Sequence, residues 1–221
     1  MAIVRRLLEP LAIHPTKGKE CALGHEGAMF AMIRRHAEIK LDRPIVLVGM
    51  MGAGKSTIGR RLARRFGVPF HDADQEIEKA ANCSVEEIFQ RFGEQHFRDG
   101  ERRVIARLLA LGPQVLATGG GAFMDPETRA LVTDAALSVW LRADIELLWR
   151  RVSRRGNRPL LKTEDPRATL ESLIDRRYPV YAEADLIADC HDVPKDETAG
   201  QIYSMILARL ADGEAGREAD L

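Results

Sequence analysis

The stretch Gly49-Met50-Met51-Gly52-Ala53-Gly54-Lys55-Ser56, with Thr57 behind it, decides how the rest of the chain is read. Closely spaced glycines let successive backbone N–H groups curl around a polyphosphate, and the helix that follows adds its positive N-terminus. In this pattern the lysine reaches the outer phosphates and the Ser56 hydroxyl is placed to ligate Mg²⁺. Pro44 opens a run of four apolar residues, Ile45–Val48, of the kind that forms a buried parallel strand. After the loop, Ile58, Leu62 and Phe66 recur at helical spacing until Gly67 and Pro69 stop them. A buried strand before and an amphipathic helix after are the context that a phosphate-binding loop requires.

Working outward, short apolar runs alternate with helical stretches. Further strands are expected at 68–71 (ending at Asp72), 115–117, 137–141 and 185–189. Helices are expected from Ser84, which with Glu87 makes a capping box, over 101–111, from Asp125-Pro126 to about 133, from Asp144, over 167–177 and over 197–210. This alternation predicts one three-layer α/β/α domain over 43–210, built on a parallel sheet. Residues 1–42 lack the pattern and read as a partly helical or flexible extension, and 211–221 as a frayed tail. The 221 residues are 45% hydrophobic and 30% charged, which excludes a disordered or collagen-like chain. Lys plus Arg and Asp plus Glu are 33 each, so no net charge draws the chain to nucleic acid or membrane. No apolar run reaches the roughly 18 residues of a membrane span. The cysteines, Cys21, Cys83 and Cys190, are odd in number and have no metal-type spacing. Cys21 and His25 have no second pair beside them, so neither a disulfide framework nor zinc is expected, and a reducing cytoplasm fits best.

Asp72 and Asp74 sit at the carboxyl end of the second strand and would share a face if that strand continued. In a parallel sheet this end borders the ligand crevice. One carboxylate is placed to organise Mg²⁺ through water and the other to accept a proton from a hydroxyl nucleophile. The plainer alternative is a strand-to-helix turn with Asp74 as its cap. The third strand ends in Ala117-Thr118-Gly119 without an acid, which favours Asp72 as the metal-side carboxylate. Gly119, Gly120 and Gly121 allow either close backbone approach to a small ligand or a tight turn. Arg150, Arg151, Arg154, Arg155 and Arg158 crowd into nine residues beside Gly156 and Pro159, as in a mobile flap or a solvated basic face.

Taken in order, these pieces resemble the shikimate kinases over about residues 44–210. The phosphate loop is followed by Asp72-Ala73-Asp74, then by Ile88-Phe89-Gln90-Arg91-Phe92-Gly93-Glu94-Gln95-His96-Phe97-Arg98 with Glu101. Next come Gly119-Gly120-Gly121-Ala122, Arg158-Pro159-Leu160-Leu161 and Arg177-Tyr178-Pro179-Val180-Tyr181. Only the loop is common among nucleotide-binding proteins; the set is specific. The resemblance implies a five-stranded sheet in the order 2-3-1-4-5. It implies transfer of the γ-phosphate of ATP, with Mg²⁺, to the 3-hydroxyl of shikimate, in aromatic amino-acid biosynthesis. It gives Lys55, Asp74 and Arg158 catalytic roles, with Asp74 acting on the attacking oxygen. Arg98 and Arg177 would clamp the substrate carboxylate, for which planar guanidinium forks are suited. Gly119, Gly120 and Gly121 would press on the ring, Phe89 and Phe97 would line its apolar face, and Glu101 would orient Arg98. Residues 153–166 would form a lid, with Arg151 on the adenine and Arg158 at the transferring phosphoryl group. ATP would lie on Gly49, Met50, Met51, Gly52, Ala53, Gly54, Lys55, Ser56 and Thr57, and the metal on Ser56 and Asp72. A monomer is expected. A gluconate-type kinase would share the fold without needing both arginines and the triple glycine; a shikimate-sensing module would not need Lys55, Asp74 and Arg158 intact.

Overall fold

The computed structural model describes residues 40–154, 159–161 and 163–218; the expected extension therefore lies almost wholly outside the described residues, as does Arg158. Among the described residues five parallel strands form one sheet in the order β2-β3-β1-β4-β5. They are β1 (Ile45–Val48), β2 (Phe70–Asp72), β3 (Val115–Ala117), β4 (Leu137–Arg142) and β5 (Leu186–Asp189). The helices are α1 (Lys55–Phe66), α2 (Ala73–Ala81), α3 (Val85–Leu109), α4 (Pro126–Ala135), α5 (Ile145–Val152), α6 (Pro166–Tyr181) and α7 (Lys195–Glu218). They cover both faces of the sheet, with α1 packed on α7 and α3 on α2 and α4. The expected three-layer architecture and strand order stand.

Every side chain of β1 and β3 is buried, as central strands of a covered parallel sheet must be. β1 pairs with β3 on one side and β4 on the other, so the chain reverses its direction of winding at the end of β1. That carboxyl edge is where open α/β sheets form a ligand crevice. Beyond β3, Thr118 donates from both its amide and its hydroxyl to the Leu47 carbonyl, at 3.2 and 3.1 Å, and so ties the glycine run to β1.

β2 begins at Phe70, not at residue 68. Gly67 closes α1 at φ 66°, and the Val68 amide donates back to the Ala63 carbonyl at 3.0 Å, so it is unavailable to the sheet. Gly59 lets β2 lie against α1, since a Cβ there would meet the Phe70 ring at 2.5 Å. The strand then stops at Asp72, and Asp74 stands in the first turn of α2, not on a continued strand.

The capping box of Ser84 and Glu87 is present, and Asp125 and Asp144 cap α4 and α5. The two helices expected after Ser84 are two segments of α3 meeting at Gly93, whose φ of 81° and ψ of 171° break the helical path. The bend brings the Phe89 and Phe97 rings to 4.5 Å between centroids. Ile77, Ile88 and Phe97 make a small apolar cluster there, apart from the main core. α7 runs past the expected end at 210 to Glu218, where fraying was anticipated.

Candidate active site

At the end of β1 the chain enters the loop through Gly49, Gly52 and Gly54, at φ 134°, 84° and 104°. These angles belong to glycine, and space demands it as well. A Cβ on Gly49 would lie 2.8 Å from the Leu141 carbonyl oxygen and one on Gly52 2.9 Å from Val152 Cγ1. α1 starts immediately at Lys55, so Ser56 and Thr57 occupy its positive first turn. The Lys55 ammonium donates to the carbonyls of Gly49 and Met50 at 2.7 and 3.1 Å, bracing the loop across its own curve. A cavity of about 350 Å³ opens here, lined among others by Gly54, Lys55, Ser56, Thr57, Asp72 and Arg151. The Met50 and Ala53 side chains turn into the core, which leaves only their backbone for a phosphate.

Asp72 accepts a 2.7 Å hydrogen bond from the Ser56 hydroxyl. A hydroxyl and a carboxylate oxygen side by side at a helix N-terminus are hard oxygen donors that suit Mg²⁺. Among the described residues no group of three or more His, Cys, Asp and Glu gathers as a metal cage. A magnesium ion that keeps waters and phosphate oxygens needs none.

The second cavity, about 460 Å³, is lined by Asp74, Phe89, Phe97, Arg98, Glu101, Arg177 and the three glycines, among others. Both cavities reach Met51, Asp74 and Gly120. None of Gly119, Gly120 and Gly121 has a positive φ, so close approach, not turn geometry, explains them. A Cβ on Gly119 would lie 2.8 Å from Asp74 Oδ1 and 2.9 Å from Glu101 Oε1. One on Gly120 would lie 3.1 Å from Arg177 Nη1, and one on Gly121 2.7 Å from the Arg98 Cζ. Gly119 thus makes room for the two carboxylates, Gly120 for Arg177 and Gly121 for Arg98.

Arg177 is 8% exposed and donates to the Gly120 carbonyl at 3.0 Å, an oxygen that Tyr181 also bonds. Burial pushes the Tyr181 hydroxyl up to about 12, so it remains a donor. Arg98 pairs with Glu101 at 2.6 Å and with Glu94 at 3.1 Å. Glu101 is 1% exposed, and burial pushes its carboxyl up to about 6 against the opposing pull of Arg98, with Asp74 adding to the rise. Phe97 and the half-buried Phe89 are both core and cavity wall.

On the nucleotide side, Arg151 donates to the Gly52 and Ala53 carbonyls, each at 3.3 Å, and to the His191 carbonyl. Arg154 and Lys195 line the same cavity. Burial holds the Lys195 ammonium below its ordinary range, with Arg151 adding to the effect. Lys195 lies outside the helix expected over 197–210, which in fact begins two residues earlier, directly after Pro194. Tyr181 was visible only as part of a motif. Of the lid, a short 3-10 turn at Pro159–Leu161 is described, and Leu160 reaches the second cavity.

The shikimate kinase family model matches residues 51–208. A shikimate kinase from Rhodopseudomonas palustris is 60% identical over 165 residues, covering 75% of this chain and 81% of the relative. One from Bradyrhizobium diazoefficiens is 56% identical over 175 residues, covering 79% of this chain and 84% of the relative. The structure of a shikimate kinase from Acinetobacter baumannii in complex with shikimate superposes with a TM-score of 0.75 at 36% identity, over 79% of this chain and 98% of that one. With the family model matching most of the chain and relatives 56–60% identical over three quarters of it, the chain belongs to the shikimate kinase family.

Proposed function

We propose the following division of labour for transfer of the ATP γ-phosphate to the 3-hydroxyl of shikimate. The loop amides and Lys55 hold the polyphosphate, and Lys55 exchanges its carbonyl partners for phosphate oxygens. Ser56 and Asp72 hold Mg²⁺, which when bound offsets charge on the phosphates. Arg98 and Arg177 take the shikimate carboxylate, fixing the ring against Gly119, Gly120 and Gly121. Asp74 orients the attacking hydroxyl and accepts its proton as the phosphorus–oxygen bond forms. Arg158 meets the transferring phosphoryl group from the lid, and Arg151 packs along the adenine. Rate then comes from positioning two reactants and from charge placed where it develops.

The observation that carries this reading is the place of Asp74 on the walls of both cavities. A carboxylate on the shared wall is where a hydroxyl of one ligand must meet the terminal phosphate of the other. The chain is further proposed to act as a cytoplasmic monomer without nucleic-acid or membrane partners. No described helix is long and apolar enough to cross a membrane. The test is a coupled assay of ADP formation with Mg²⁺ present. Shikimate-dependent turnover that gluconate does not replace is expected. Shikimate binding without turnover would instead identify a sensing module.

A further inference from the structure

Glu101 is buried, yet only one of its oxygens is satisfied. Oε2 accepts from Arg98 at 2.6 Å, while Oε1 has no hydrogen-bond partner. That Oε1 is closed off within the wall of the second cavity, beside Gly119, which Asp74 Oδ1 also approaches. Its charged surroundings among the described residues are mixed. Arg98 and Glu94 come from its own helix α3, Asp74 from α2, Asp125 from the head of α4, and Arg177 from α6. Arg102 neutralises Asp125 at 3.1 Å, so the nearest cation left for Glu101 is Arg98, which Glu94 already shares.

On the reading that Arg98 also meets the substrate carboxylate, one guanidinium must then serve three anions. A second carboxylate on Arg98 weakens its hold on Glu101 and adds a like charge nearby, while the buried Oε1 has no water to turn to. Both changes disfavour the charged acid. We propose that Glu101 takes up a proton from solvent when shikimate binds and releases it when the product leaves, acting as a neutral positioning acid in the loaded enzyme. Neutral Glu101 leaves Arg98 to be shared by the substrate and the exposed Glu94 alone, and its hydroxyl puts a donor where an unpaired buried acceptor stood. Burial already brings the group within reach of neutral pH, so a modest added push suffices. This proton is distinct from the one the 3-hydroxyl loses in the reaction.

The experiment is calorimetric titration of shikimate into the full chain at pH 7, in buffers of widely different ionisation enthalpy. The expected slope corresponds to uptake of roughly half a proton or more. Glu101→Gln should abolish the slope, and the carboxamide of shikimate, which brings no charge to Arg98, should show none in the parent protein. Shikimate affinity should fall as pH rises from 6 to 8 while kcat changes little. Enthalpies independent of buffer overturn the proposal, as does equal uptake with acid and amide, and the latter comparison holds even if the Gln variant fails to fold. If the amide binds as tightly as the acid, the carboxylate clamp itself is wrong. Tight, charge-dependent binding without proton uptake leaves the clamp standing and removes only the proton.

Discussion

Arg98 fills the space where the methyl of an alanine at Gly121 would sit, and Arg177 Nη1 stands only 3.1 Å from where one at Gly120 would. Gly121→Ala should leave the fold intact, because the obstructed group is the far end of a flexible side chain. It should nonetheless raise KM for shikimate roughly 10- to 100-fold by moving Arg98 off its position. Steady-state kinetics with ATP saturating is the check, and an unchanged KM would separate Arg98 from the substrate. Replacing Arg98 or Arg177 with Ala should cost about 2–5 kcal/mol in kcat/KM for shikimate, roughly 30-fold to several thousand-fold, with little effect on ATP affinity. Lysine should rescue little, since an ammonium lacks the two-donor fork. If the amide analogue loses the same factor as the acid, these arginines are structural. The residues themselves were readable as motifs, whereas their pairing with individual glycines was not. Gly121 and Arg98 are brought together by packing of α3 beside the β3 loop, and nothing in local spacing encodes that.

Among the elements, α3 carries most of the substrate side, and its bend at Gly93 sets the relation between Phe89 and Phe97. At φ 81° and ψ 171° only glycine is at ease, and a Cβ there would meet nothing within 4 Å. Gly93→Ala should therefore cost about 1–3 kcal/mol from backbone strain alone, without a clash. Denaturant midpoints would show it. A change within error would mean that the bend is free to relax. β1 and β3 were legible to the residue because each is a short, wholly buried run closed by glycine. β2 starts later than its apolar run suggests because the fate of one amide, Val68, depends on how the preceding helix ends. The length of α7 was missed because residues 211–218 carry too little apolar character for periodicity to speak. Of the two settings open to Asp74, a continued strand or a strand-to-helix turn, the turn is the one present, because β2 stops at Asp72. Its cavity placement survives because the first turn of α2 faces the same edge of the sheet.

For the molecule as a whole, Glu101 gives stability an unusual pH term. Its carboxyl is held at about 6 in the folded chain against an ordinary 4.5. The native state therefore binds the proton more tightly, and this contribution is fully present below 4.5 and lost as pH rises through 6. Asp189, held below the ordinary range by Arg142, and Asp125, whose bonds from Thr128 and Arg102 outweigh its burial, act in the opposite sense. Comparing parent with Glu101→Gln isolates the term: the parent should gain about 1 kcal/mol on the variant between pH 7 and pH 5. A constant difference would contradict it. Residues from 39 onward form one compact unit, and the family match lies within it. A chain lacking residues 1–38 should accordingly fold and phosphorylate shikimate at a rate within a few-fold of the parent, and an insoluble or inactive product would count against the division.

The wall common to the two cavities, Met51, Asp74 and Gly120, has a thermodynamic corollary. A ligand that orders this wall from one side has already met part of the conformational cost for a ligand arriving from the other. Nucleotide and shikimate should thus bind with positive cooperativity. Whatever factor a non-hydrolysable ATP analogue adds to shikimate affinity, shikimate must return to the analogue in equal measure.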